Sequence, residues 1–134
     1  MAESEYAKYV LTEPKGQLHD GTLFGGFLAS PEKLGVDCQL LYSVISEPSL
    51  TDDKPEPHKH DFPHVMCFFG SNPLDLNDFD AEIDFYLGGE KQTITAASMI
   101  TVPAGLVHCP LVIRRIGKPV LWFEVMLTSH YERK

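Results

Sequence analysis

Basic residues are scarce. Eleven Lys and Arg stand against 19 Asp and Glu in 134 residues, a formal net charge of −8 with neutral histidines. Such a chain lacks the clustered cations that neutralise phosphates, which argues against nucleic acid and against anionic membrane surfaces. Long apolar runs are missing too. The longest, near 106–113 and 120–127, fall far short of the roughly 20 residues needed to cross a bilayer. The opening Met1-Ala2-Glu3-Ser4-Glu5-Tyr6 is acidic and leads into no apolar stretch, so no signal peptide is expected. Cysteine is limited to Cys38, Cys67 and Cys109. This odd, widely spaced set makes no disulfide framework and no Cys-x-x-Cys motif. A cytoplasmic location is the simplest expectation. No extended 3.6-residue period is present, which excludes a helix bundle or a βαβ protein. Neither a Gly-x-Ser-x-Gly elbow nor a Gly-rich phosphate cradle occurs, so nucleophilic hydrolases and nucleotide-binding enzymes are disfavoured.

Glycine and proline, ten each, punctuate the chain at short intervals. Between them lie runs rich in Val, Ile, Phe, Tyr and Thr, the pattern of an all-β sandwich or barrel. Strands are expected at 38–45, 57–62, 64–69, 81–87, 91–95, 99–102, 106–113 and 120–128. Gly88-Gly89 marks a hairpin turn. One short helix is expected at 30–35, with Ser30 as N-cap, Pro31 at the first position and Gly35 as stop. The length fits one domain over 1–134, with its core at about 38–127 and arms on either side. The loop 70–80 is acidic but lacks calcium-loop spacing, so a solvated loop is the expectation.

Histidine is concentrated. Four of six fall into two clusters, His58-Lys59-His60 with His64, and Pro103-Ala104-Gly105-Leu106-Val107-His108. Imidazole is the commonest metal-ligating side chain and suits Zn, Fe, Ni and Cu rather than Mg or Ca. In a strand, residues i and i+2 share a face, so His58 and His60 project together about 6–7 Å apart along the backbone. His64 keeps that parity beyond Pro63, and His108 must arrive from another strand. Parity also places Met66, Phe68 and Leu106 on the inner wall beside the histidines, with Cys67 and Cys109 pointing away and Cys109 read as a buried structural thiol rather than a ligand. In the strand at 81–87, Glu82, Asp84 and Tyr86 form the outer set. Glu124 interrupts Val120-Leu-Trp-Phe-Glu-Val-Met-Leu127; it faces solvent or else enters the interior as ligand or general base. His19 and His130 read as surface residues.

These two clusters resemble the paired motifs of the cupin superfamily. His58-x-His60 with the run from His64 to Gly70 resembles the first motif, and Pro103-x-Gly105-x-x-His108 matches the second. His64 stands where that family usually has Glu. The resemblance implies a jelly-roll β-barrel over roughly 38–127, with one divalent transition metal (Zn, Fe, Ni or Cu) on His58, His60, His64 and His108 in its lumen. Four neutral imidazoles leave a divalent ion at +2, where three imidazoles and a carboxylate leave +1. Such a centre should draw anionic oxygen ligands. The expected function is a metal-dependent enzyme on a small carboxylate- or enolate-type molecule, of oxygenase or isomerase/lyase type. The alternative is a non-catalytic metal- or ligand-binding cupin, such as a sensor or storage module. Cupins often pair through their terminal segments, so a homodimer with a crossing N-terminal arm is expected.

Overall fold

The structure is a computed structural model; residues 4–17, 25–50, 56–132 and 134 are described. Among the described residues nine strands carry the fold: β1 Phe27–Ala29, β2 Gln39–Ile45, β3 Ser49–Leu50, β4 His64–Gly70, β5 Ala81–Leu87, β6 Glu90–Ile94, β7 Ser98–Val102, β8 His108–Ile116 and β9 Val120–Met126. They form a five-stranded sheet, β1-β2-β9-β4-β7, and a four-stranded sheet, β3-β8-β5-β6. All pairings are antiparallel. The expected all-β jelly roll is present, but the two sheets are not closed into a barrel by hydrogen bonds.

The expected helix forms as one turn, α1 Pro31–Leu34. Ser30 Oγ accepts from the Lys33 amide and Gly35 ends the turn at φ 77°. Both caps act through their own chemistry, an oxygen for an orphan N–H and a missing Cβ for a left-handed residue.

Strand alternation buries one face of each sheet against the other. Leu41, Ile45, Met66, Phe68, Val120 and Trp122 of the larger sheet meet Ile83, Phe85, Leu111 and Ile113 of the smaller. Phe68, Phe85 and Ile83 are sealed from solvent, and each such side chain contributes roughly 1.5–3 kcal/mol by burial.

Several expectations are corrected. The segment 57–62 is no strand: it makes an isolated bridge, His58 to His108, rather than a ladder. Pro57 and Pro63 bracket it and lack the N–H groups a ladder needs. Leu106 belongs to a turn, and β8 starts at His108. Asp84 does face outward but is buried, because the Arg114 Nε lies 2.6 Å from its Oδ2 and the Thr93 hydroxyl donates to it at 3.0 Å. Cys67 points to the outer face yet is buried between its cross-strand neighbours Met99 and Phe123. Cys109 is a buried free thiol, as expected, but it does not point away: it lies in the core with Leu111 and Ile113. The register shift between Phe85 and Leu87 opposite β8 lets His108 and Cys109 both be buried, as a bulge does. Strands β1 and β3 were not anticipated; at three and two residues they are too short to show a period.

Candidate metal centre

Backbone hydrogen bonds assemble the two histidine clusters. The amides and carbonyls of His58 and His108 exchange bonds of 3.0 and 2.9 Å, and the Gly105 amide donates to the His60 carbonyl at 2.7 Å. Gly105 adopts φ 83°, a left-handed conformation that glycine supplies without steric cost. The turn it makes is closed by Leu106 N–H to the Pro103 carbonyl at 3.2 Å. The Pro-x-Gly-x-x-His spacing therefore docks one cluster onto the other.

The result gathers His58, His60 and His108, each with a ring nitrogen within 4.8 Å of the others'. Their ring centroids lie 4.6–5.0 Å apart. His60 and His108 are buried and His58 is half-buried. His64, buried at the start of β4, stands outside that trio but beside it, its ring 5.4 Å from His60 and 4.8 Å from His108. His130 is exposed, as expected, and His19 lies outside the described residues.

All four rings are held through Nδ1. His58 reaches the Glu56 carbonyl at 2.8 Å, His60 the Glu132 carbonyl at 2.6 Å, and His108 the Leu106 carbonyl at 2.9 Å. A carbonyl oxygen only accepts, so each of these Nδ1 atoms carries the proton and the neutral ring keeps its lone pair on Nε2. His64 Nδ1 lies 2.7 Å from Glu124 Oε1, while His64 Nε2 is buried with no hydrogen-bond partner. An orphaned buried ring nitrogen is costly unless something binds it. Burial pushes His108 from its ordinary 6.5 down to about 4, and the neighbouring His64, His58 and His60 add to this against the raising effect of the Leu106 carbonyl. His108 is thus neutral at neutral pH, the form that ligates metal.

Glu124 settles to the interior. It is 5% exposed and shares the inner parity of Val120, Trp122 and Met126 on β9, opposite Met66 of β4. Its carboxylate meets His64 rather than standing in as a fourth donor of the trio. Met66 and Phe68 are core residues on the His64 face. Leu106 packs on the core and contributes its carbonyl to His108. Sequence reasoning missed the carbonyls of Glu56, Leu106 and Glu132, which no side chain signals. It also missed Phe62, stacked on His60 at 4.6 Å. Asp78 and Asp80 of the acidic loop are paired with Lys118 and Arg115, and no metal-like grouping other than the histidine trio occurs among the described residues.

Solved structures share this architecture. A predicted oxalate decarboxylase from Thermotoga maritima superposes with TM-score 0.54 over 86% of this chain and 92% of its own, at 14% identity. Oxalate oxidase in complex with the substrate analogue glycolate superposes with TM-score 0.54 over 99% of this chain and 62% of its own, at 9% identity. A cupin-2 domain from Rhodospirillum rubrum gives TM-score 0.50 over 75% of this chain, at 9% identity.

The chain has the cupin fold.

It spans 57% of the length of the Rhodospirillum rubrum structure. No protein-family model and no curated protein matches this chain. Its donor set suits a transition metal: imidazoles only, tautomers set by outer partners, and one Nε2 that lacks any other partner. That outer arrangement is how metal-ligating histidines are normally held.

Proposed function

We propose that this chain is a single metal-binding cupin domain whose His58, His60, His64 and His108 hold one divalent transition metal through Nε2. The reading rests on the uniform anchoring of all four rings through Nδ1. Zn, Fe, Ni and Cu all accept imidazole. When bound, the metal supplies a Lewis acid for a chelating carboxylate or enolate oxygen. The residues around it do the rest: Phe62 packs its ring against His60 and His64, Met66 and Phe68 close the core on the His64 face, and the Glu124–His64 pair places a carboxylate one ring away from the centre.

That carboxylate changes the expected electrostatics. Four neutral imidazoles would leave +2, but Glu124 at 2.7 Å from His64 returns one negative charge to the site's surroundings. The local balance approaches that of a three-His, one-carboxylate set, with the carboxylate displaced outward by one imidazole.

The substrate class proposed is a small carboxylate or enolate, turned over by oxygenase or isomerase/lyase chemistry. Oxalate and glycolate, named in structures of the same fold, are the first probes. The non-catalytic reading draws on the number of imidazoles: four donors can close a tetrahedron, and a closed site leaves no open position for a substrate. Metal analysis of the purified chain, joined to the coordination number with and without oxalate, separates the two. An added oxygen ligand supports catalysis, and an unchanged four-nitrogen shell supports storage or sensing.

We also propose a homodimer. The outer face of the larger sheet presents Phe27, Leu40, Tyr42, Val44, Val65, Phe69, Met99, Leu121, Phe123 and Val125 by register, with no charged side chain among them. On a chain of net charge −8, a second copy of this face is the surface it can meet without opposing charges. The crossing arm is not retained for Pro14 and Lys15, whose carbonyls bond Leu28 and Lys33 of the same chain.

A further inference from the structure

Tyr131, Glu132 and Lys134 lie beyond the last strand, yet they are tied to the segment from His58 to Phe62 by several independent contacts. Lys59 and Lys134 exchange backbone hydrogen bonds of 2.9 and 2.7 Å. Lys134 Nζ pairs with Asp61 Oδ2 at 2.5 Å. The Tyr131 ring sits 5.0 Å from the His60 ring and 6.1 Å from Phe62. Between these contacts the Glu132 carbonyl accepts the His60 Nδ1–H at 2.6 Å.

The other three histidines are anchored differently. His58 and His108 take acceptors two residues earlier in their own segments, and His64 takes Glu124 from inside the sheet. Of these four anchors, only that of His60 comes from a segment both distant in sequence and outside the two sheets. We infer that Tyr131, Glu132 and Lys134 form a strap that positions His60, so that strap docking and metal occupancy are coupled. This rests on the metal reading above.

The physical link is the tautomer. With Glu132 in place, His60 carries its proton on Nδ1 and keeps the Nε2 lone pair toward His58 and His108. With the strap lifted, the Nδ1–H loses its acceptor, the ring turns more freely, and the other tautomer competes. Removing an outer partner of a ligating histidine typically weakens metal binding about 10–100-fold. Linkage is reciprocal, so bound metal must hold the strap down by the same factor.

The test compares Zn(II) affinity of the intact chain with that of a chain ending at His130. The expected result is 10–100-fold weaker binding, an altered Cu(II) electron paramagnetic resonance spectrum, and an unchanged unfolding transition of the metal-free protein. A full-length D61N/K134A variant should weaken binding in the same direction by less, and it decides the matter if the shortened chain misfolds. In the intact chain, Zn(II) should slow hydrogen exchange at the Lys59 and Lys134 amides. Equal Zn(II) affinity with and without the strap, or exchange indifferent to Zn(II), overturns the inference. An intact chain that binds neither Zn(II) nor Cu(II) overturns the metal reading beneath it instead.

Discussion

Glu124 Oε1 and His64 Nδ1 meet at 2.7 Å inside the protein, with both side chains almost fully shielded from solvent. The pair joins β9 to the first residue of β4, whose backbones are already in register at His64–Met126 and Met66–Glu124. A carboxylate on Nδ1 directs the ring proton there and leaves Nε2 as the donor. Glu124→Ala should therefore weaken metal binding about 10–100-fold. Glu124→Gln keeps an acceptor oxygen and should lose much less. The same E124Q variant makes the site one charge more positive, so it should bind oxalate more tightly than the parent. Calorimetric titration of the metal-loaded proteins with oxalate checks this, and weaker binding by E124Q would remove the electrostatic role assigned to Glu124.

The trio and His64 should separate by severity. His60→Ala or His108→Ala removes a donor from a group already within 4.8 Å, and stoichiometric metal should be lost on purification. His64→Ala should lower affinity while leaving measurable occupancy, since three donors remain. Elemental analysis of the purified variants reads this directly. Full metal content in a doubly substituted H60A/H108A protein would refute the site.

Much of this was legible beforehand, for definite reasons. His58, His60 and His108 announce themselves because histidines at i and i+2 and a Pro-x-Gly turn are local patterns, and the turn's geometry depends on Gly105 alone. The helix at Pro31 was legible through its caps, β5 through alternation over seven residues, and β2, β4 and β9 as apolar, aromatic and β-branched runs between turn residues. What was not legible is what depends on partners far along the chain. Glu124 showed only as a charge in an apolar strand; its inner parity became decisive once β9 was seen to pair with β4 rather than to end the sheet. The burial of Asp84 depends on Arg114 arriving from β8. Cys109 misled because strict alternation fails at a bulge, and nothing in the residue types marks the shift opposite Phe85 and Leu87.

The histidine cluster sets an acid limit on the metal-free protein. Burial holds His108 at about 4 in the folded chain against an ordinary 6.5. Between those values the unfolded chain binds a proton that the folded chain refuses, so stability falls as pH drops from about 6.5 to about 4 and levels off below. Chelator-treated protein unfolded by urea at pH 7, 5.5 and 4.5 should show this decline. His108→Gln should flatten the slope in that window, and an identical slope in H108Q would show that other groups carry it.

The outer sheet face makes the last test. Phe27 is 45%, Tyr42 36%, Val44 50% and Met99 71% exposed, and by register they stand on one face with Leu121, Phe123 and Val125. An uncharged patch on that scale is unusual for a monomer in water, and exposed apolar area of this kind is removed when two copies meet. The N-terminal segment does part of the covering, since Leu11 and Pro14 line a cavity of about 200 Å³ with Phe27, Leu40, Tyr42 and Phe123. Sedimentation at micromolar concentration should give twice the chain mass of 15.0 kDa. Val44→Lys with Met99→Lys places like charges on both copies of the face and should return the mass to one chain, with metal content unchanged because the histidines lie on the opposite side of the sheet. A parent protein that sediments as one chain ends the dimer proposal, and a V44K/M99K protein that still sediments as two moves the interface elsewhere.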